Sequence, residues 1–320
     1  MAYGAHSYVD DARNAAVQID INGTLVDRSQ ATISVFDSGF MLGDGVWEGL
    51  RLMDGGVPYL WEHLERLYGG ARALDFEMNV TPSELRDRLF TCFAANAMTD
   101  GVHARLMVTR GIKSTPYQDP RVTVTPPTIV IIPEHKASVA KPGGLALFTS
   151  AFRRTGPDQQ DQKLNSHSKL NCIQACIQAA KAGADEALML DPNGFVATCN
   201  STHFFIVRGG VLWTSSGDYC LGGITRSNVL KVARAQGLEV RERNFSLVDV
   251  YSADEAFVTG TFAGLTPVRT VDGRVLGPVL SSAPGPIPGP VTEQLRAAYR
   301  ADALAARCFA DTPVPGAPAA

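Results

Sequence analysis

Apolar and polar residues alternate through AVQIDINGTLVDRSQATISVFDSG, residues 16–39. A period of two predicts extended chain. The pair Asn22–Gly23 inside it predicts a hairpin turn, and the alternation beyond predicts a further strand reaching Phe36. The rhythm then changes. YLWEHLERLYGGARALDF and TPSELRDRLFTCFAANAM repeat at helical spacing, with Thr81 or Ser83 placed to cap the second helix. HARLMVTRG and PPTIVIIPEHK return to strand character. The first part of the chain therefore predicts a small α+β domain over residues 1–137.

The stretch 138–146, marked by Pro142 and Gly143–Gly144, predicts a linker. Behind it lie a strand ALFTSAFRR, a polar loop, and a helix KLNCIQACIQAAKAG. Strands EALMLD, GFVATC and HFFIVRGGVLWT follow, then a helix TRSNVLKVARAQG, then EVRERNFS, EAFVTGT and LTPVRTVDG. A larger α+β domain over 147–298 results, with a last helix in GPVTEQLRAAYRADALAA. The tail 299–320 is expected to fray at DTPVPGAPAA.

Composition narrows the function. The 320 residues are 45% hydrophobic and 19% charged, with a formal charge of −3. This balance speaks against nucleic-acid binding. No apolar run reaches the roughly 20 residues of a membrane span, and the N-terminus has no secretion pattern. Six scattered cysteines are too sparse for a disulfide scaffold, so a reduced, cytoplasmic protein is expected. Cys172 and Cys176, four apart, share a helix face. They make a metal site only if other ligands join them, and small core residues are the plainer reading, so no metal is expected.

Several phrases carry chemistry: VFDSGFMLGDGVWEGLR, EHLERL, VTRG, AGADEALMLDPNGFVA, GGITRSNVL, SADEAF and TGTFAGLTPV. In this order and spacing, over roughly residues 18–298, the chain resembles the fold-type IV pyridoxal-phosphate enzymes. That family holds branched-chain and D-amino-acid aminotransferases, aminodeoxychorismate lyases and (R)-selective amine transaminases. The resemblance implies two α+β domains with the cofactor site between them, a homodimer, and a small amine, amino acid or keto acid as substrate. It also implies a phosphate cup. Arg66 would grip the phosphate, Ile224 and Thr225 would offer backbone N–H groups, and Thr261 a hydroxyl. Free N–H groups at a helix start and a guanidinium suit a phosphate on physical grounds too. An ordinary cap and a Glu62–Arg66 surface pair are the bland alternative.

Three positions depart from the family. Its cofactor-binding lysine stands in a phrase like D-Q-R-I-K-S; here DQKLNS places Asn165 there, and an amide is no nucleophile. Thr198 replaces the glutamate that pairs with the pyridine nitrogen, so a neutral nitrogen and a weaker electron sink are expected. Leu42 replaces a common tyrosine near the substrate. Lys169 could take over if the chain is helical there, one turn beyond Asn165. Lys163 could do so if the chain is a strand, sharing Asn165's face. Both could equally be solvated charges.

Other groups fall near the same place by family position. His167 could act as acid or base, and Cys199 with His203 could form a nucleophile–base pair, although such residues more often only pack. Arg110 of VTRG would orient a substrate carboxylate or form a structural ion pair. Two active readings result: a transaminase-type enzyme with a moved lysine, or a lyase, hydrolase or isomerase independent of the cofactor aldehyde that uses His167, Asn165, Thr198 and Cys199. A third reading is a ligand-binding protein without turnover.

Overall fold

The computed structural model describes residues 10–136, 141, 143–281 and 285–315. Residues 138–140 and 142 of the expected linker, and the end of the tail expected to fray, lie outside the described residues. The chain divides into two compact units. One is built on 10–136 together with 164–169 and the chain from residue 303; the other holds the stretch ending at 163 and residues 170–302. The division falls near the expected break, but it assigns residues 164–169 and the tail to the first unit.

In the first unit, β1 (Gln18–Ile21) and β2 (Thr24–Asp27) form the expected hairpin. Asn22 and Gly23 take φ of 54° and 88°, the positive pair that a two-residue turn between twisted strands requires. The further strand is absent. A 3-10 turn, Arg28–Gln30, interrupts the alternation, and Ile33, Val35 and Phe36 stay exposed. α1 (Ser38–Leu42) and β3 (Gly45–Leu52) come next, then β4 (Val57–Pro58), α2 (Leu60–Ala73) and α3 (Pro82–Ala95). β5 (Val102–Thr109) and β6 (Thr128–His135) complete an antiparallel sheet in the order β2-β1-β6-β5-β3. α3 starts on a capping box between Thr81 and Glu84, with Pro82 at its first position. Leu60, Leu64 and Leu67 of α2 and Leu85 and Leu89 of α3 enter one core with alternate residues of β3 and β5.

The second unit is a mixed nine-stranded sheet. β7 (Leu145–Thr149) stops short of the expected Arg154. α4 (Pro157–Gln160), α5 (Leu170–Lys181), β8 (Glu186–Leu190) and β9 (Val196–Cys199) follow. HFFIVRGGVLWT is a hairpin, β10 (His203–Arg208) and β11 (Val211–Thr214), turning at Gly209–Gly210. α6 (Ile224–Ala235), β12 (Val240–Glu242), α7 (Leu247–Tyr251), β13 (Glu255–Gly260), β14 (Gly264–Val271) and β15 (Arg274–Val275) complete it. The parallel pairs β7–β8 and β11–β12 need helical crossovers. α6 supplies one; the other carries α5 and the six residues assigned to the first unit. α8 (Pro290–Ala305) is capped by Glu255, which accepts from Val291 N and Thr292 N. β16 (Arg307–Cys308) pairs with β4.

Candidate functional site

β3 is the edge strand of the first sheet, and residues 165–167 pair with it through an isolated bridge at Ser166. Trp47 N donates to Asn165 O at 3.0 Å, His167 N to Gly45 O at 2.9 Å, and Val46 bridges Ser166. The side chains reinforce this pairing. Asn165 Nδ2 donates to Trp47 O at 2.5 Å, Trp47 Nε1 to Ser166 O at 3.1 Å, and His167 Nε2 to Val46 O at 3.0 Å. Gly43, the left-handed C-cap of α1, lets Ser168 approach; a Cβ there would lie 2.6 Å from Ser168 Oγ.

The condition set for Lys169, a helical chain after Asn165, is not met, because α5 begins only at Leu170. Lys169 nevertheless turns back: its Nζ donates to Asn165 Oδ1 at 3.2 Å and lies 5.6 Å from the Trp47 ring centroid. Asn165 itself is 6% exposed. Lys163 is in a turn rather than a strand, and exposed. Burial pulls the His167 imidazole below its ordinary range, outweighing the bond to Val46 O that raises it. A neutral ring donating from Nε2 keeps Nδ1 as a basic lone pair.

Arg105 was not singled out by the sequence. Its guanidinium carbon lies 3.8 Å from the Trp47 ring centroid, and burial pulls it below its ordinary value. Among the described residues it forms no ion pair, so a part-buried cation is left to meet an incoming anion. The i, i+2 alternation of β5 places it opposite Gly49 of β3, a pairing that needs the sheet register to be seen.

Arg110 answers differently. Its Nε and Nη2 grip Asp44 at 2.7 and 3.2 Å, and Nη2 and Nη1 cap the end of α2 at Leu74 O (2.6 Å) and Asp75 O (3.0 Å). Of the two roles open to it, the ion pair is the one the geometry carries. Leu42 ends α1 and is exposed.

Arg66 is oriented by a carboxylate that the sequence reading passed over. Glu48, fully buried on β3, accepts from Arg66 Nε and Nη2 at 2.7 and 2.6 Å and from His63 Nδ1 at 2.6 Å. This replaces the expected surface pair with Glu62 as the contact that fixes the guanidinium. Burial pushes the Glu48 carboxyl up, but His63 and Arg66 more than offset it and hold it below the usual range.

In the second unit α6 starts at Gly223 with no side-chain cap, so the first-turn N–H groups of Ile224 and Thr225 are not taken by a capping side chain. A Cβ on Gly223 would collide with the His203 ring, so only glycine fits beside it. Thr261 lies in the turn that joins β13 to β14. Thr198 is 5% exposed, and its hydroxyl donates to Thr202 O at 2.8 Å. Its proton is committed, and only lone pairs remain.

Cys199 is corrected outright. It is a core residue at 2% exposure, its thiol is pushed well up by burial and by Glu186, and it packs among Leu188, Val196 and Phe204. A thiol so held is no nucleophile. Among the described residues no cluster could hold a metal ion.

This arrangement has known counterparts. The pattern of the class IV amino-transferase family matches residues 45–271. A branched-chain-amino-acid aminotransferase-like protein 2 of Arabidopsis thaliana is 39% identical over 90% of this chain, but the chain spans only 50% of its length. A putative branched-chain-amino-acid aminotransferase of Methanocaldococcus jannaschii is 40% identical over 81% of this chain and 90% of its own. The branched-chain amino acid aminotransferase of T.th., solved with pyridoxamine 5'-phosphate, superposes with a TM-score of 0.84 at 28% identity, covering 92% of this chain and 99% of that one. The same enzyme has been solved with N-(5'-phosphopyridoxyl)-L-glutamate and with 4-methylvaleric acid. With the family pattern spanning most of its length and full-length relatives at this identity, the chain belongs to the class IV aminotransferases.

Proposed function

We propose that the protein binds pyridoxal 5'-phosphate and moves an amino group between an amino compound and a carbonyl compound, with Lys169 serving in place of the lysine missing at 165. The 3.2 Å hydrogen bond from Lys169 Nζ to Asn165 Oδ1 carries this reading. An amine is held at the side chain that stands where the family's amine would be. The residues present fit the cofactor. α6 opens on a glycine with no capping side chain, Arg66 is aimed by Glu48, and Lys169 is anchored.

Arg66, the N–H groups of Ile224 and Thr225, and the Thr261 hydroxyl would take the phosphate. When bound, the cofactor supplies an aldehyde to carry the amino group and a ring to delocalise the electron pair left by deprotonation. Lys169 Nζ would be the amine offered to that aldehyde and would carry the substrate proton. His167 Nδ1 is a second site for a proton. Arg105 anchors a substrate carboxylate; the acid ligands of the T.th. enzyme agree with such a group. Thr198, whose proton is committed to Thr202 O, would offer a ring nitrogen only lone pairs, without the charge of a glutamate.

A spectrum with added pyridoxal phosphate, followed by borohydride reduction and peptide mapping, tests this. The expected result is a yellow protein with the pyridoxyl group on Lys169, and Lys169→Ala losing both colour and turnover. Labelling of Lys163 instead would move the lysine's role to that residue, and turnover that survives Lys169→Ala but not His167→Ala would transfer the reading to the chemistry independent of a lysine. The chain also works as a homodimer in this reading. Val35, Phe36, Phe40, Leu42, Tyr117 and Val124 of the first unit, all exposed, form apolar surface suited to a second copy.

A further inference from the structure

Arg154 is 7% exposed, and no carboxylate partners it among the described residues. Its contacts are Nε to Tyr219 O at 3.4 Å, Nη1 to Asn171 Oδ1 at 3.5 Å, and Nη1 to Cys172 Sγ at 2.9 Å. The first two are long, and the sulfur is the close one. A buried guanidinium needs an anion or strong acceptors, and here the acceptor is a thiol. Cys172 is the third residue of α5, a 12-residue helix with no acidic residue in its first turn. A buried cation with no carboxylate partner among the described residues thus meets one sulfur atom.

We infer that Cys172 is a nucleophilic, oxidisable thiol, a modification site set up by Arg154 and separate from the aminotransferase chemistry. Its co-reactant is a hydroperoxide. The sulfur attacks the terminal oxygen of hydrogen peroxide, an S–O bond forms as the O–O bond breaks, and the departing hydroxide takes a proton to leave as water. The sulfur is oxidised by two electrons to the sulfenic acid, and the peroxide is reduced. Cys176 serves as an internal reference. It lies one turn along α5 and is exposed, whereas Cys172 is only partly so, and among the described residues no cation contacts its sulfur.

Exposure alone predicts that Cys176 reacts first; the cation predicts the reverse. Limited labelling of the full chain with iodoacetamide at pH 7, read by fragmentation of the peptide carrying both cysteines, decides between them. Cys172 is expected to label about tenfold faster than Cys176, and Arg154→Gln to bring the two within about twofold. A dimedone probe after hydrogen peroxide should mark Cys172 and not Cys176. Equal or faster labelling of Cys176 in the natural sequence overturns the inference. Should Arg154→Gln fail to fold, Arg154→Lys keeps the charge, and a labelling preference for Cys172 that vanishes there also counts against it.

Discussion

At the scale of single residues, the site is ordered by carboxylates and amides rather than by the residues that would touch a ligand. Glu48 shows this most clearly. It is fully buried and holds both Arg66 and His63. Glu48→Gln would leave a guanidinium without its counter-charge, so a loss of about 3 kcal/mol in unfolding free energy is expected, measured by denaturant titration at pH 7. The sign with pH follows from the lowered carboxyl. In the natural protein this contribution is present above the unfolded value of about 4.3 and is lost as pH falls through the lower folded value. The glutamine variant should therefore lack that acid limb. Pyridoxal-phosphate affinity should fall with it, because Arg66 loses the contact that aims it. An unchanged affinity would mean that Arg66 does not depend on Glu48 for its position.

Elements show which signals were written locally. The Asn22–Gly23 turn and the cap of α3 depend on a few neighbouring residues; the turn was legible, and Thr81 was one of the two caps expected. Thr81→Ala should cost about 1 kcal/mol without touching pyridoxal-phosphate binding, since it acts only on the start of α3; a thermal melt beside a binding titration separates the two effects. The strand expected up to Phe36 did not form. Its alternation was real, but a 3-10 turn at Arg28–Gln30 breaks it and no sheet neighbour covers it.

The reverse happened at 165–167, a polar loop by pattern that bridges to β3 because β3 offers an unpaired edge. Only the register along that edge brings Asn165, Trp47 and Lys169 together. For the same reason Arg105 escaped notice: its value comes from facing Trp47 across two strands, a relation no spacing in the sequence expresses. The departures at Asn165 and Thr198 were legible because they interrupt a family phrase. What replaced them was legible only in part, since Thr198's committed proton depends on the Thr202 carbonyl.

For the whole molecule, the exposed apolar side chains decide what remains to be covered. Val35, Phe40 and Leu42 are 66%, 68% and 44% exposed, and they come from one short run around α1. Tyr117 and Val124 belong to the loop tied to that run, where Lys113 N donates to Phe36 O and Ile112 bridges Asp37. Scattered apolar residues on a surface need no explanation, but several from one short run and the loop tied to it do. A second copy is the occupant favoured here, because a net charge of only −3 opposes self-association weakly. Phe40→Glu places a charge in the middle of the run without changing any residue assigned to cofactor or substrate. Sedimentation of the natural chain should give a dimer, and Phe40→Glu should shift it toward monomer with the fold intact by circular dichroism. A monomer in the natural chain at micromolar concentration would leave this surface to another partner and remove the homodimer from the proposed function, while leaving the role of Lys169 to be decided by borohydride trapping alone.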